Sequence, residues 1–118
     1  MMIKTAAELI QKAQQEISCV DVASAKLLFD SAENTFIIDV RDTESVIKDK
    51  VRQSIHISRG LLEMKILQHC PDADCIILTH CAGGGRASLA ALTLEQMGYT
   101  QVYAITATFD EVKAAFES

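Results

Sequence analysis

The residues best suited to chemistry lie in one short segment, Leu78-Thr79-His80-Cys81-Ala82-Gly83-Gly84-Gly85-Arg86-Ala87-Ser88. Cys81 comes at the end of a predicted strand, and Ala82, three glycines and Arg86 follow it. Glycines allow successive backbone N–H groups to converge on an anion, and a helix beginning at Arg86 adds the positive end of its dipole. Arg86 contributes a permanent charge. This order predicts a loop that holds Cys81 as a thiolate, the nucleophilic form of cysteine.

Cys81 has a second interpretation, because a free cysteine at a strand end often serves only as a small buried apolar residue. Such a residue needs neither a run of glycines nor a neighbouring arginine. The sequence Gly83-Gly84-Gly85-Arg86 therefore favours the functional interpretation. A nucleotide site is not expected here, because the segment lacks both the P-loop lysine and a full Gly-x-Gly-x-x-Gly pattern.

The elements that would position this loop alternate between helices and strands. A capping box of Thr5 and Glu8 begins an amphipathic helix that runs to about Ile17. Further helices are predicted from about Ala23 to Phe29, as one polar turn from Thr43 to Lys48, from a Ser58 N-cap to Pro71, from Arg86 to Met97 with Gly98 at the C-cap position, and from about Phe109 to Phe116. Strands are predicted at Cys19-Val20, Thr35–Ile38, Ser54–Ile57, Cys75–Thr79 and Gln101–Ile105.

Strands that are apolar throughout are typical of a mostly parallel sheet covered by helices on both faces. The chain is therefore predicted to be an α/β three-layer sandwich. It would be a single domain over residues 1–118, with residues 1–17 as a helical extension packed on it. Ligands bind to such sheets where strands end and helices begin, and the Cys81 loop lies at such a junction.

The composition limits the classes of binding partner and the cellular compartment that we expect for this protein. A formal net charge of −5 provides no basic stripe for nucleic acid, so an anionic substrate must be held by local positive groups. No export signal or membrane-spanning run is visible, and the four cysteines are too few for a disulfide scaffold. We therefore expect a cytoplasmic protein with free thiols, a monomer or weak homodimer that binds neither nucleic acid nor membranes.

Three segments together resemble the small single-domain bacterial proteins of the rhodanese family. The spacing Cys81-x-x-Gly84-x-Arg86 is similar to the active-site loop of that family. Residues 37–41 resemble its "DVR" strand end, and residues 55–63 resemble its "HIPRG" segment. The matching segments occur in the family's order and cover most of the chain.

The resemblance implies a rhodanese fold of about five strands and a thiosulfate sulfurtransferase reaction without a cofactor. Cys81 would take the outer sulfur of thiosulfate or a similar small anionic donor, become a persulfide, and pass the sulfur to cyanide, a thiol or a protein acceptor. Residues 107–112 depart from the family's usual Gly-Gly-Phe-x-x-Trp pattern, so the resemblance does not fix the acceptor. The groups implied to bind the persulfide and the departing anion come from Ala82, Gly83, Gly84, Gly85 and Arg86.

Four further polar residues are candidates for roles around the loop. Arg59 lies between a strand end and a helix start, so it either extends the anion-binding surface or is a solvated residue of a first helical turn. Asp39 and Arg41 are expected to brace the loops by hydrogen bonding rather than to contact substrate. Ser88, two residues beyond the arginine of the motif, is expected to support the loop.

The cluster that could suggest a zinc site consists of His69, Cys70, Cys75, His80 and Cys81. Its members straddle a helix end, a proline turn and a strand without a close Cys-x-x-Cys or His-x-x-x-His pair, so no metal site is expected. A resolving role for Cys70 or Cys75 toward Cys81 stays open, and Cys19 is expected in the core. Adjacent side chains of a strand point to opposite faces, so His80 is expected to pack beside the sheet.

Two other functions compete with sulfur transfer. Phosphatases and arsenate reductases that resemble rhodaneses place five residues between their cysteine and arginine, whereas four separate Cys81 from Arg86. The smaller loop fits a sulfur atom better than a tetrahedral oxyanion, which disfavours phosphatase chemistry. The second rival is a non-enzymatic rhodanese-like module that binds a partner or relays sulfur between dedicated proteins. Such modules typically lack the cysteine that this chain keeps.

Overall fold

A computed structural model describes residues 2–117, which contain five strands, six α-helices and a short 3-10 helix, Arg59–Leu61. None of these helices combines the length and the apolar character that crossing a membrane requires. The strands are β1 (Ser18–Val20), β2 (Thr35–Asp39), β3 (Ile55–His56), β4 (Ile76–His80) and β5 (Gln101–Ile105). The helices are α1 (Ala6–Glu16), α2 (Val22–Ser31), α3 (Thr43–Lys48), α4 (Leu62–His69), α5 (Gly85–Gln96) and α6 (Phe109–Glu117).

The strands form one parallel sheet in the order β1-β5-β4-β2-β3. In the centre of the sheet, β4 pairs with β2 so that His80 lies opposite Asp39. Because β2, β4 and β5 run in the same direction, their carboxyl ends meet at one edge of the sheet. The predicted α/β fold with a five-stranded, mostly parallel sheet is confirmed.

The sheet separates two apolar cores. The first lies between the sheet and helices α1, α4 and α5, and the second lies between the sheet and helices α2 and α6. Ile77 belongs to the first core and Leu78 to the second, because successive side chains of a strand point to opposite faces. Full burial of each such side chain contributes about 1.5–3 kcal/mol, which fixes the strand register and the position of the loop after β4.

Several predicted helix ends form as the sequence indicates. The Oγ1 atom of Thr5 accepts a hydrogen bond from the Glu8 N–H at 3.1 Å, and the Glu8 side chain reciprocates, which completes the capping box of α1. Gly98 follows the end of α5 with a φ of 111°, a left-handed conformation that suits glycine. The start of α1 and the end of α5 are therefore fixed by local sequence.

Two predictions about single residues are wrong. Ser58 makes no capping hydrogen bond, because its Oγ atom lies 3.1 Å from the Nε2 atom of His56 and a 3-10 turn separates it from α4. Cys19, expected in the core, is exposed because β1 is a short edge strand with little covering it.

Candidate active site

The loop that follows β4 surrounds the sulfur of Cys81. Cys81 comes directly after the strand, and α5 begins four residues later at Gly85. The cysteine is almost fully buried, with 1% of the residue exposed. Its Sγ atom accepts hydrogen bonds from the backbone N–H groups of Gly84 at 3.1 Å and Ala87 at 3.4 Å. The sulfur therefore lies at the N-terminus of a helix among backbone donors, the setting that a thiolate requires.

Gly84 allows the chain to turn around the sulfur. Its φ of 100° lies in the left-handed region that favours glycine. A Cβ atom at this position would come within 2.9 Å of the Cα atom of Thr106, which follows β5. A backbone atom cannot move aside as easily as the end of a side chain. Position 84 therefore requires glycine both for its conformation and for the space it leaves.

Buried hydroxyl groups hold the loop from the helix side. Ser88 donates a hydrogen bond from Oγ to the carbonyl oxygen of Gly84 at 2.6 Å. Thr79 donates from Oγ1 to the carbonyl oxygen of Ala87 at 2.8 Å. Both hydroxyl-bearing residues are fully buried. Ser88 thus lies where it can orient the peptide group that follows Gly84.

Ala82 and Gly83 form the exposed outer part of the loop. The carbonyl oxygen of Ala82 accepts a hydrogen bond from the backbone N–H of Phe109 at 3.0 Å, which ties the loop to the first residue of α6. The region between β5 and α6 therefore forms the rim of the site.

Arg86 extends from the first turn of α5, with 41% of its side chain exposed. Its Nη1 atom lies 4.0 Å from the Oδ2 atom of Asp42, the N-cap residue of α3. Hydrogen bonds from Ser45 lower the pKa of Asp42, and the positive charge of Arg86 adds to this lowering. A long contact to an exposed carboxylate binds weakly, so the guanidinium stays available to an anionic ligand.

Arg59 lies away from the loop. Its Nη2 atom donates to the Oγ1 atom of Thr93 at 2.8 Å, and its Nη1 atom donates to Glu63 at 3.1 Å. Thr93 is eight residues beyond the start of α5, which corresponds to about 12 Å along the helix axis. The structure thus places Arg59 between α4 and α5 instead of beside Cys81.

A buried ionic cluster lies at the same edge of the sheet. Arg41 donates from Nη2 to the Oδ2 atom of Asp39 at 2.8 Å and from Nε to both carboxylate oxygens at 3.1 Å. The Arg41 guanidinium also lies 3.9 Å from the ring centre of Phe109. Burial raises the pKa of Asp39, but the hydrogen bonds from Arg41 and the positive charge of Arg41 outweigh this effect, and the pKa is lowered. Asp39 and Arg41 therefore link the end of β2 to the start of α6.

His80 is fully buried on the face of the sheet opposite the Cys81 thiol. Its ring stacks on Phe109 with centroids 6.2 Å apart. Neither ring nitrogen has a hydrogen-bond partner of good geometry among residues 2–117, and Nε2 lies 3.8 Å from the Oδ2 atom of Asp39. Burial lowers the pKa of His80 to about 4, although the Asp39 carboxylate acts in the opposite direction. The imidazole is consequently neutral at pH 7.

Cys70 and Cys75 lie at the other end of β4. Cys75 and Cys81 are six positions apart in the chain, a span of about 20 Å in an extended strand. Both thiols are buried, and burial raises the pKa of Cys70 to about 12 and also raises that of Cys75. In this fold neither thiol can reach the Cys81 sulfur. Within residues 2–117 no three His, Cys, Asp or Glu side chains are grouped so that they could hold a metal ion.

Several residues that shape the site were not predicted from the sequence. Thr106 contacts Gly84 through its backbone, and Gln14 of α1 donates a hydrogen bond to Ser88 at 3.0 Å. These contacts join segments that are distant in the chain, so no local sequence pattern predicts them. The start of α6, which borders the site, does have a local sequence pattern, because Thr108 and Glu111 form a capping box.

Comparison with known proteins identifies the class to which this fold and loop belong. A model of the Rhodanese-like domain family matches residues 6–115. The chain is 26% identical over 87 residues to YtwF, a proposed sulfurtransferase of Bacillus subtilis (strain 168), covering 74% of this chain and 82% of YtwF. The chain therefore belongs to the rhodanese-like domain family.

Two solved structures show the same architecture. RPA3614 from Rhodopseudomonas palustris CGA009 is a protein of unknown function described as a possible tyrosine phosphatase. It matches with a TM-score of 0.81 and 28% identity over 98% of this chain and 93% of its own. The polysulfide-sulfur transferase homodimer of Wolinella succinogenes matches with a TM-score of 0.73 and 25% identity, over 87% of this chain and 77% of its own.

The requirement for glycine at position 84 can be tested with Gly84→Ala and a control, Gly85→Ala. A left-handed alanine costs about 1–2 kcal/mol, and the Cβ atom would also displace Thr106, so Gly84→Ala should lower the free energy of unfolding by at least that amount. At Gly85 a Cβ atom would meet only the flexible Cδ1 atom of Ile10, at 2.9 Å. Urea denaturation should therefore show a smaller loss for Gly85→Ala, which adding Ile10→Val should relieve. Equal losses in the two alanine variants would contradict this account of the loop.

The buried neutral state of His80 predicts acid sensitivity. An unfolded histidine binds a proton near pH 6.5, whereas folded His80 resists protonation down to about pH 4. The unfolded state therefore binds more protons in this window, and stability should fall by about 2–3 kcal/mol between pH 7 and 4.5. Urea denaturation across this range should show a shallower pH dependence for His80→Phe, which keeps an aromatic ring against Phe109. An unchanged pH dependence in the variant would show that other groups cause the loss.

Proposed function

We propose that this protein is a sulfurtransferase of the thiosulfate type that carries sulfane sulfur as a persulfide on Cys81. One observation above all supports this function: the Cys81 Sγ atom accepts hydrogen bonds from the N–H groups of Gly84 and Ala87 at the N-terminus of α5. Such donors stabilise charge on sulfur both before and after a second sulfur is added. The rhodanese-like family and the sulfurtransferase relatives support the same class of reaction.

In the first half of the proposed reaction, the Cys81 thiolate attacks the outer sulfur of a donor such as thiosulfate. A new S–S bond forms at Cys81 while the bond between the outer sulfur and the sulfite group breaks. The sulfite dianion leaves with the bonding electron pair, and the protein keeps a persulfide with one negative charge. No external oxidant or reductant is needed, because the sulfane sulfur is transferred without its bonding electrons.

In the second half of the reaction, a thiophilic acceptor attacks the terminal sulfur of the persulfide. Cyanide would leave as thiocyanate, and a thiolate would become a persulfide in its turn. The Cys81 thiolate is the leaving group and is restored. The same loop donors that stabilise the resting thiolate therefore also favour this second step, since negative charge returns to Sγ.

The depth of Cys81 suits a carrier of sulfur. With only 1% of the residue exposed, the thiol is shielded from bulky oxidants and electrophiles. A persulfide adds one bond of about 2 Å, which would bring the transferred sulfur toward the exposed residues Ala82 and Gly83. Under this proposal those residues and the N–H groups of the loop surround the sulfur that moves.

In the proposed reaction Arg86 attracts the anionic sulfur donor, whereas Arg59 has a structural role. Arg86 follows the loop and its charge is only weakly paired with Asp42. Arg59 instead binds Thr93 and Glu63. In a protein with a net charge of −5, an anionic donor needs the local positive charge that Arg86 supplies.

Incubating the reduced protein with thiosulfate should load one sulfur atom, seen as an increase of about 32 Da in intact mass. Cyanide should remove the added mass and release an equivalent of thiocyanate, because the persulfide sulfur is electrophilic. Cys81→Ser should show neither change, whereas Cys19→Ser, which alters an exposed thiol, should behave like the parent protein. Failure of folded protein to load from thiosulfate or from polysulfide would overturn the proposal.

The same preparations should be assayed with p-nitrophenyl phosphate, because RPA3614 is described as a possible tyrosine phosphatase. We expect no turnover that depends on Cys81. Cys81-dependent phosphate release in the absence of sulfur loading would make phosphatase chemistry the better assignment.

Arg86→Gln should reduce the second-order rate of sulfur loading from thiosulfate by at least about tenfold, the effect of losing a hydrogen bond to a charged group. Arg59→Gln should change this rate by less than about twofold, since the Arg59 guanidinium is held away from the loop. The rates can be measured by quenched-flow mass spectrometry. A comparable loss in both variants would instead support a role for Arg59 in anion binding.

A further inference from the structure

Helix α1 contacts the catalytic loop through a short chain of hydrogen bonds. The Nε2 atom of Gln14 donates to the Oγ atom of Ser88 at 3.0 Å. Ser88 in turn donates its hydroxyl proton to the carbonyl oxygen of Gly84 at 2.6 Å. A side chain on an exposed part of α1 is thus connected to the residue whose N–H group contacts the Cys81 sulfur.

The position of the Gly84 carbonyl determines which way the next N–H group points. The oxygen accepts from both the hydroxyl and the backbone N–H of Ser88, so it is directed into α5. In a planar trans peptide the C=O and N–H bonds point in opposite directions. The N–H of Gly85 is therefore directed away from the helix body, toward the space outside its first turn. Since Gly84 has no side chain to restrict rotation, these two hydrogen bonds from Ser88 fix the peptide, and the hydroxyl bond is the one that Gln14 reaches.

Helix α1 also packs closely against the loop. A Cβ atom on Gly85 would come within 2.9 Å of the Cδ1 atom of Ile10, so Ile10 covers the residue that begins α5. Ile10 and Gln14 are four residues apart and lie on the same side of α1. One side of α1 thus contacts the loop at two successive places, by packing at Gly85 and by hydrogen bonding at Ser88.

We propose that Gln14 is a positioning residue for the sulfur-transfer site: by donating to Ser88, which binds the Gly84 carbonyl, it holds Gly84 so that the N–H group of Gly84 stays directed at the sulfur of Cys81. The inference rests on the proposed function in treating Cys81 as the reacting group. Linked hydrogen bonds reinforce one another, because an oxygen that accepts a bond becomes a better donor through its own proton. Loss of the Gln14 amide should consequently weaken the Ser88 bond to Gly84.

The test measures how fast iodoacetamide alkylates Cys81 as a function of pH, read on the Cys81 peptide by mass spectrometry in a Cys19→Ser background. Gln14→Ala should move the midpoint of this pH dependence upward by about 0.5 unit, a threefold change in the thiolate population. The matched control is Gln15→Ala, the same substitution at the next exposed position of α1. It should leave the midpoint unchanged.

A second comparison separates positioning from general loosening of the loop. A looser loop would raise the limiting alkylation rate at high pH without moving the midpoint. In addition, Gln14→Ala should have no further effect once Ser88→Ala has removed the connecting hydroxyl. Equal midpoints for Gln14→Ala and Gln15→Ala, or an undiminished effect of Gln14→Ala in the Ser88→Ala background, would overturn the inference. If Ser88→Ala does not fold, the comparison of the two glutamines decides alone.

The outcome does not depend on sulfur transfer, because alkylation reports the thiol directly. If the parent protein alkylates normally but loads no sulfur from thiosulfate or polysulfide, the proposed function fails while the role of Gln14 is still measured. If sulfur loading succeeds and the midpoint does not move, only the inference about Gln14 fails.

Discussion

The structure around Cys81 depends on one constraint: two backbone N–H groups must reach the sulfur atom of an almost completely buried residue. Backbone donors can converge in this way only if the chain reverses between the end of β4 and the start of α5. The reversal requires a φ of 100° at Gly84. The backbone of Thr106 confines the loop from outside and lies so close that it leaves no room for a Cβ atom at position 84.

This constraint explains why distant segments contribute to so small a site. The space that a Cβ atom would occupy at Gly84 is taken by Thr106, which follows β5. The corresponding space at Gly85 is taken by Ile10 of α1. On the outer side, the first residue of α6 donates to the Ala82 carbonyl. A loop rich in glycine has little stiffness of its own, since glycine loses the most conformational entropy when it is ordered. Its order must come from these contacts, which makes the whole carboxyl edge of the sheet part of the site.

The Asp39–Arg41–His80 cluster buries polar side chains at that edge, and not all of them form hydrogen bonds. Arg41 pairs with Asp39 and lies over Phe109, so these two buried charges are well compensated. His80 fills its place without a hydrogen bond of good geometry and remains neutral because it is buried. Its side chain points to the opposite face from Cys81, so it packs on Phe109 beside the second core while the Cys81 thiol lies in the first. His80, the last residue of β4, and Cys81, the residue after it, thus face opposite sides of the sheet.

The sequence predicts the fold class, the sheet and the loop because each has a local signature. Apolar strands, the Thr5–Glu8 capping box and the glycine run before Arg86 are all short-range patterns. The placement of Arg59 could not be predicted, since the choice between the loop and the α4–α5 interface depends on how the helices pack. The same is true of Gln14, whose partner is 74 residues away in the chain. The prediction for Cys19 is wrong because apolar character alone does not reveal that a strand lies at the edge of a sheet.

The size of the loop bears on the choice between sulfur transfer and phosphate chemistry. A phosphoryl group bound to a cysteine carries three outer oxygens, and its charge must be met by donors arranged beyond the sulfur. Here the N–H groups of Gly84 and Ala87 point at Sγ itself, and only four residues separate Cys81 from Arg86. A persulfide places its charge on one atom about 2 Å from Sγ, a smaller group that such a loop can surround. This geometry is the reason for preferring sulfur transfer even though a neighbour as similar as RPA3614 is described as a possible tyrosine phosphatase.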